Sequence, residues 1–274
     1  MKILIATPAY GGVVTSAYHD SVLKTVSFFT RDFPGIEIES RVVSLSMITT
    51  ARNLFASQVL ADESITHLLF IDADMGFPPS LVPRMLALQK PVVGVIYPQR
   101  RLDYEAYHQA RSATGSPALA KVVANGYVSG GKSVKASAGA DGKPVVTVRD
   151  GFVPVTDTGT GIMLIERQVL EAMRDHFAEL WIGDPPPHVR ALGLPHGGYL
   201  QCFEQARDQH GVAIGEDVSF CLRWSQQMGG EIWANVDEIV THVGSASFSG
   251  HYLSKLRQSG VAIDIVESKA DGAP

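Results

Sequence analysis

Four apolar residues, Leu68 to Ile71, run straight into Asp72-Ala73-Asp74, and Gly76, Pro78 and Pro79 then end the strand. A short apolar run without polar alternation reads as a strand buried on both faces, as in the middle of a parallel sheet. That puts both carboxylates at a C-terminal strand end, the edge where open α/β sheets take ligands. Residues i and i+2 of an extended chain point the same way, so the two carboxylates are expected to face together. They repel unless a positive charge lies between them. A hard divalent cation, Mg²⁺ or Mn²⁺, takes such oxygen ligands. The plain alternative is a polar turn after a core strand.

The chain around this strand alternates strands and helices. Ile3 to Thr7 reads as a first buried strand, ending in the loop Thr7-Pro8-Ala9-Tyr10-Gly11-Gly12. A helix over 16–30 follows, with Val22, Val26 and Phe29 on one face. Residues 36–43 read as a second strand. Thr50 is the expected cap of a helix from Ala51 to about Ala61, which puts Arg52 in its first turn. A cation there opposes the helix dipole, whereas an anionic ligand would account for it. Ser80 is the expected cap of a short helix before a strand at 91–96. Strand–helix alternation of this kind implies a parallel sheet with right-handed crossovers.

After Arg101 the pattern breaks. Residues 102–143 are rich in Ala, Gly and Ser and read as an insertion with a weak hairpin and mobile loops. Short strands are expected at 145–148, 152–155 and 162–165, then a helix over 167–176 and another from Gly215 to about Met228. Short strands at 231–234 and 238–241 precede His242-Val243-Gly244, and the tail from 266 is expected to be frayed.

Composition narrows the classes. The 274 residues are 45% hydrophobic, enough for a large core. A net charge of −5 and the lack of a long Lys/Arg run give no electrostatic footprint for nucleic acid. Two cysteines in apolar surroundings, Cys202 and Cys221, fit a reducing cytoplasm. No apolar stretch is long enough to predict a membrane span.

Five segments then occur in a familiar order: Ile5 to Tyr10, Ala51-Arg52-Asn53, Asp72-Ala73-Asp74, Gly215-Glu216-Asp217 with Arg223 six residues on, and His242-Val243-Gly244. In this the chain resembles the GT-A-fold glycosyltransferases, specifically the small soluble bacterial and bacteriophage relatives of family 2. The resemblance runs from Lys2 to about His251, apart from the insertion. It implies one Rossmann-like α/β domain over 1–265 with a mixed, mostly parallel central sheet flanked by helices. Within it, 1–101 is the nucleotide-binding half, 102–150 a loop-rich insertion, 151–265 a small acceptor-side half, and 266–274 a flexible tail.

The resemblance implies a nucleotide-sugar donor, UDP- or GDP-linked, and a hydroxyl acceptor. That acceptor is a glycan or, in a phage setting, a modified DNA base. Thr7, Pro8, Ala9 and Tyr10 would hold the base, with Tyr10 stacking on it. Arg52 would face the base or pyrophosphate, and Asp72, Ala73 and Asp74 the ribose and metal. Gly159 and Thr160 would let backbone approach the donor sugar or acceptor. Asp72, Asp74 and His242 would be the metal positions, for Mn²⁺ or Mg²⁺, and Asp217 beside Glu216 the general base of inverting transfer. Each has a plainer reading: a surface aromatic for Tyr10, a solvated charge for Arg52, a half-buried satisfied imidazole for His242, dipole-stabilising acids for Glu216 and Asp217, an ordinary turn for Thr158 to Gly161. A retaining transferase and a sugar-nucleotide nucleotidyltransferase share the architecture and remain alternatives. A haloacid-dehalogenase-type phosphatase would place its aspartates after the first strand, with Thr or Val where Gly76 stands.

Overall fold

The structure is a computed structural model describing residues 1–139, 142–194, 196–244 and 247–266. Of the expected tail from 266, Val266 closes a strand and 267–274 lie outside the described residues.

Strand β1 (Lys2–Pro8) is followed by α1 (Ser16–Asp32), β2 (Glu37–Val43), α2 (Ile48–Ala61) and β3 (His67–Ile71). Side chains along β1 and β3 alternate between two cores. Leu4, Ala6, Leu68 and Phe70 meet Phe55 and Val59 of α2 on one face. Ile3, Ile5, Leu69 and Ile71 meet Val22 and Phe29 of α1 on the other. Each Leu or Ile so buried stabilises the fold by about 1.5–3 kcal/mol, and burial on both faces is why these strands are apolar throughout. Helix α2 starts earlier than its expected cap, with Met47 at the cap position and no side-chain cap bond. Arg52 therefore lies in the second turn. The start follows burial of Ala51, Leu54 and Phe55 rather than cap chemistry.

The chain continues through β4 (Met75–Gly76), α3 (Leu81–Ala87), β5 (Val92–Val95) and β6 (Pro98–Leu102). Ser80 makes no cap bond to α3 and instead donates to Glu238 Oε1 at 3.4 Å. The insertion corrects the sequence expectation. It forms two helices, α4 (Tyr104–Thr114) and α5 (Pro117–Ala124), then β7 (Asn125–Tyr127), the two-residue β8 (Ser137–Ala138) and β9 (Pro144–Arg149). Asp103 and Ser116 cap the helices, accepting from Ala106 N and Leu119 N, and Gly115 ends α4 with φ 68°. The Ala, Ser and Gly that read as loop are the material of two short capped helices.

The strands β10 (Phe152–Val155) and β11 (Ile162–Glu166) and helix α6 (Arg167–His176) match expectation. Next come β12 (Trp181–Ile182), α7 (Pro187–Arg190) and β13 (Tyr199–Leu200). Helix α8 (Glu216–Leu222) runs on as a π-helical turn through Arg223–Gln227. Last are β14 (Ile232–Asn235), β15 (Val240–Val243), β16 (Ser247–Gly250), α9 (Tyr252–Gln258) and β17 (Ala262–Val266). The periodicity predicts neither α9 nor β17, and it ends β15 two residues too early, so that His242 lies inside the strand.

One sheet runs through both halves in the order β17-β9-β10-β14-β5-β11-β3-β1-β2, with β8 beside β9. Only β8, β10 and β11 oppose the common direction. This is the expected mixed, mostly parallel Rossmann-like α/β sheet flanked by helices. Two features of the topology assemble the site. Strand β11 enters antiparallel between β3 and β5, which brings 158–161 against the end of β3. A small sheet β16-β15-β4 places His242 opposite Met75, next to Asp74. No described helix is long and apolar enough to cross a membrane.

Candidate active site at the end of the third strand

Strand β3 stops at Ile71, and Asp72 to Asp74 form a turn in which Met75 N donates to Asp72 O at 3.0 Å. Three neighbours pin this turn through its backbone. Asp72 N donates to Gly161 O at 2.9 Å, Thr15 N to Ala73 O at 2.8 Å, and Val243 N to Asp74 O at 2.9 Å. The Thr15 hydroxyl adds a bond to the same Ala73 carbonyl at 3.2 Å. The turn also corrects the expectation that both carboxylates face together, because the i, i+2 rule holds only for extended chain. Asp72 Oδ1 accepts from Arg52 Nη2 at 3.3 Å. Asp74 Oδ2 accepts from Arg100 Nη1 at 3.0 Å and lies 3.5 Å from His242 Nε2.

Arg52 is 4% exposed and stands between two carboxylates. Besides Asp72, its Nη1 lies 3.1 Å from Glu216 Oε1. That second contact has ion-pair distance without hydrogen-bond direction, and among the described residues neither Nη1 nor Nε has a hydrogen-bond partner. The guanidinium also sits 5.9 Å from the centre of the Phe70 ring. A cation so placed ties the end of β3 to the start of α8, and this accounts for an arginine that helix physics alone does not. Asn53 extends the clamp. Its Nδ2 donates to Glu204 Oε1 at 2.9 Å and its Oδ1 accepts from Phe203 N at 2.8 Å, fixing the loop that leads toward α8. The sequence reading gave Asn53 no role of its own. Arg223, the last residue of the Glu-Asp pattern, closes the same loop by donating to the Cys202 and Glu204 carbonyls at 3.0 and 2.7 Å.

The titratable groups fall into two sets. Burial pushes the Asp72 carboxyl above its ordinary range, and the opposing pull of Arg52 does not cancel it. Burial, then the neighbouring Glu216 charge, raises Asp217, whose Oδ1 takes the Val218 N–H at 2.7 Å. Burial also opposes charge on Asp74, but His242 and Arg100 outweigh it and hold that carboxyl low. His242 Nδ1 is 2.9 Å from Pro98 O. A carbonyl only accepts, so Nδ1 carries a hydrogen and Nε2 is the ring nitrogen that faces Asp74; without a proton there, its lone pair is free for a cation. A carboxylate oxygen and a nitrogen lone pair this close form a donor pair suited to a shared cation. Among the described residues no group of three or more His, Cys, Asp or Glu stands together as a complete metal cage. Magnesium-type sites on phosphorylated substrates do not need one, since one or two protein ligands, water and substrate phosphate complete them.

Beside this cluster opens a cavity of about 410 Å³ lined by Pro8, Tyr10, Asp72, Ala73, Asp74 and Arg100 among others, within the range of small-molecule sites. Tyr10 stands at its edge, 81% exposed. Thr7 and Ala9 are buried behind it. Thr7 Oγ1 is 2.6 Å from the Tyr18 hydroxyl, and Ala9 N donates to Val43 O at 2.9 Å. Gly159 and Thr160 are buried as well, and among the described residues Thr160 Oγ1 has no hydrogen-bond partner. A Cβ on Gly159 would come within 2.3 Å of the Tyr97 hydroxyl, and one on Gly161 within 2.6 Å of Tyr97 Cζ. Those glycines make room for the Tyr97 ring, whose hydroxyl accepts the Gly161 N–H at 3.2 Å. Tyr97 and Thr15 support the site without having been singled out in the sequence. The only signals were a tyrosine closing an apolar strand and a threonine in helix-cap position.

No family model and no curated protein matches the chain. Among solved structures it is similar to A197 from STIV, at 17% identity over 89% of this chain and 86% of that chain, with a TM-score of 0.45. It is similar also to a Bacillus anthracis protein assigned as a glucose-1-phosphate thymidylyltransferase, solved with a sucrose, at 13% identity, 98% and 97% coverage and a TM-score of 0.34. Mouse xyloside xylosyltransferase 1 in its apo form gives 8% identity, 97% and 84% coverage and a TM-score of 0.24. At such identities and scores the reading of the site rests on its own geometry.

Proposed function

We propose that this chain is a metal-dependent glycosyltransferase that moves a sugar from a UDP- or GDP-sugar to a hydroxyl acceptor with inversion. One observation carries the reading. Arg52 spans Asp72 and Glu216, so the end of β3 and the acidic start of α8 meet at one guanidinium, beside a cavity sized for a nucleotide. Tyr10 at the cavity's edge offers a face for the base. Asp74 and His242 would be the protein donors for Mn²⁺ or Mg²⁺, with water and the donor's phosphates completing the set, while Asp72 is held by Arg52. A divalent ion bound there would neutralise charge on the leaving diphosphate, an effect of several kcal/mol.

The transfer itself falls to Asp217. As the acceptor oxygen bonds to the sugar's C1, the bond from C1 to the diphosphate oxygen breaks and the acceptor proton passes to the Asp217 carboxylate. Its upward shift, from burial and Glu216, suits that role, because a base works best with a pKa near the operating pH. A positioned base is worth roughly 10²–10⁴ in rate. The acceptor is a glycan or another hydroxyl compound, and the net charge of −5 offers no general attraction for DNA.

A thermal-shift screen of nucleoside diphosphates and their sugars, with and without Mn²⁺, tests the reading. A ligand at a hundred times its Kd stabilises by about 2.7 kcal/mol. A UDP or GDP compound is expected to raise the melting temperature, and to do so more strongly with Mn²⁺. No shift with any nucleotide would overturn the proposal. An α-linked product from an α-linked donor would overturn inversion alone.

A further inference from the structure

The proposed donor site contains two arginines held in different ways. Arg52 has a side chain 5% exposed between two carboxylates. Arg100, on β6, has a side chain 53% exposed, and among the described residues its one ion pair is with Asp74. It donates to Asp74 Oδ2, the oxygen that also lies nearest His242 Nε2. The Arg100 guanidinium thus sits on the carboxylate oxygen that a divalent cation would need. Its stem runs against Gly244, where a Cβ would come within 2.6 Å of Arg100 Cδ. The glycine of His242-Val243-Gly244 leaves the room that the arginine fills. Arg100 also lines the 410 Å³ cavity, within reach of whatever anion that cavity takes.

Resting on that donor-site reading, we infer that Arg100 is an exchangeable counter-ion: it covers Asp74 while no divalent cation is bound, gives up that oxygen to the cation, and then pairs with the donor's diphosphate in the same cavity. A guanidinium and a divalent cation on one carboxylate oxygen repel each other, so each weakens the other's hold. An exposed ion pair is weak and releases readily. Guanidinium is also the side chain best matched to phosphate oxygens. The consequence is a coupling between cation and nucleotide, which is necessarily reciprocal. Arg100 opposes binding of the cation alone and favours binding of the nucleotide once the cation is in place.

That opposition in sign is the test. Isothermal titration of MnCl₂ into the nucleotide-free protein, then of UDP and GDP at saturating Mn²⁺, compares wild type with Arg100→Gln and Arg100→Lys at low and high salt. For Arg100→Gln the Mn²⁺ Kd is expected to fall about three- to ten-fold at low salt, with the gain shrinking at high salt. Its nucleotide Kd in Mn²⁺ is expected to rise about ten-fold, as for loss of a charge-assisted bond to phosphate. Arg100→Lys should fall between in both titrations. A residue that merely supports the fold would weaken both, and that result overturns the exchange. Unchanged affinities in a protein that binds Mn²⁺ and nucleotide overturn the role of Arg100 while leaving the donor site standing. No binding of Mn²⁺ or nucleotide by wild type overturns the donor-site reading and the exchange with it.

Discussion

Replacing Arg52 with methionine keeps most of the side-chain volume and removes the charge between Asp72 and Glu216. Removing one partner from a buried ion pair costs about 3–5 kcal/mol, because the other charge stays buried without compensation. Asp72 and Glu216 keep some water, at 27% and 16% side-chain exposure, which puts the expected loss near the lower figure, about 3 kcal/mol near neutral pH. The loss should also depend on pH, and its sign follows from Asp72. That carboxyl is already raised by burial, against the pull of Arg52. A raised carboxyl stabilises the fold fully below its unfolded pKa, and the contribution is lost as pH rises through the folded value. Without Arg52 the folded value rises further, so the variant loses more on the way to neutrality. The difference between variant and wild type should therefore be largest near pH 7 and shrink toward pH 5. Urea unfolding at the two pH values measures it, with equal m-values showing that stability alone has changed. A loss below about 1 kcal/mol, or one that does not shrink on acidification, would refute the buried-bridge reasoning.

Asp217→Asn should lower kcat by roughly 10²–10⁴ while leaving nucleotide Kd within a few-fold, and a variant with near-normal kcat would remove Asp217 as the base. In the wild type, activity should fall as pH drops through the raised Asp217 value, with the acid limb of kcat/KM above the ordinary carboxylate range. Survival of that limb in Asp217→Asn would assign it to another group. Asp74→Asn removes a charged ligand from the proposed cation site and should abolish Mn²⁺-dependent donor hydrolysis, so full retained activity would refute its metal role. Gly161→Ala forces a Cβ to within 2.6 Å of the Tyr97 ring and should destabilise by about 1–3 kcal/mol, read as a lower urea midpoint. Pairing it with Tyr97→Leu should recover part of the loss.

The sheet was legible because its central strands are buried on both faces. Leu68 to Ile71 cannot alternate with polar residues when Phe70 faces one core and Ile71 the other, and that constraint is written locally in the sequence. The insertion was illegible for the opposite reason. α4 buries Ala110 alone, and α5 only Ala120 and Ala124. Small residues covering little core leave no apolar stripe to read, and the two helices are marked only by their caps. β17 is an edge strand whose central residues, Ile263 to Ile265, pair with Val146 to Val148, and what specifies it is a partner more than a hundred positions away.

The candidate site divides along the same line. Residue types and their order are local facts, so Asp72, Asp74, Glu216, Asp217 and His242 could be named from the sequence, and the structure gathers them at one sheet edge. Their pairings depend on how the backbone turns and on which distant side chain arrives. Asp72 and Asp74 look equivalent in Asp-x-Asp, yet the turn after Ile71 sends one toward a buried arginine and the other toward a histidine and an exposed arginine. Burial then raises the first, while its partners hold the second low. Two carboxylates with opposite shifts suit different tasks. The one held low stays charged and available to a cation near neutral pH, while the raised one is held by Arg52, which ties it to the helix carrying the candidate base. The asymmetry comes from the burial of Asp72, opposed but not cancelled by Arg52, a residue the sequence marked only as a cation where a helix dipole does not want one. Its explanation lay in Asp72, 20 residues on, and in Glu216 on a helix from the other half of the chain.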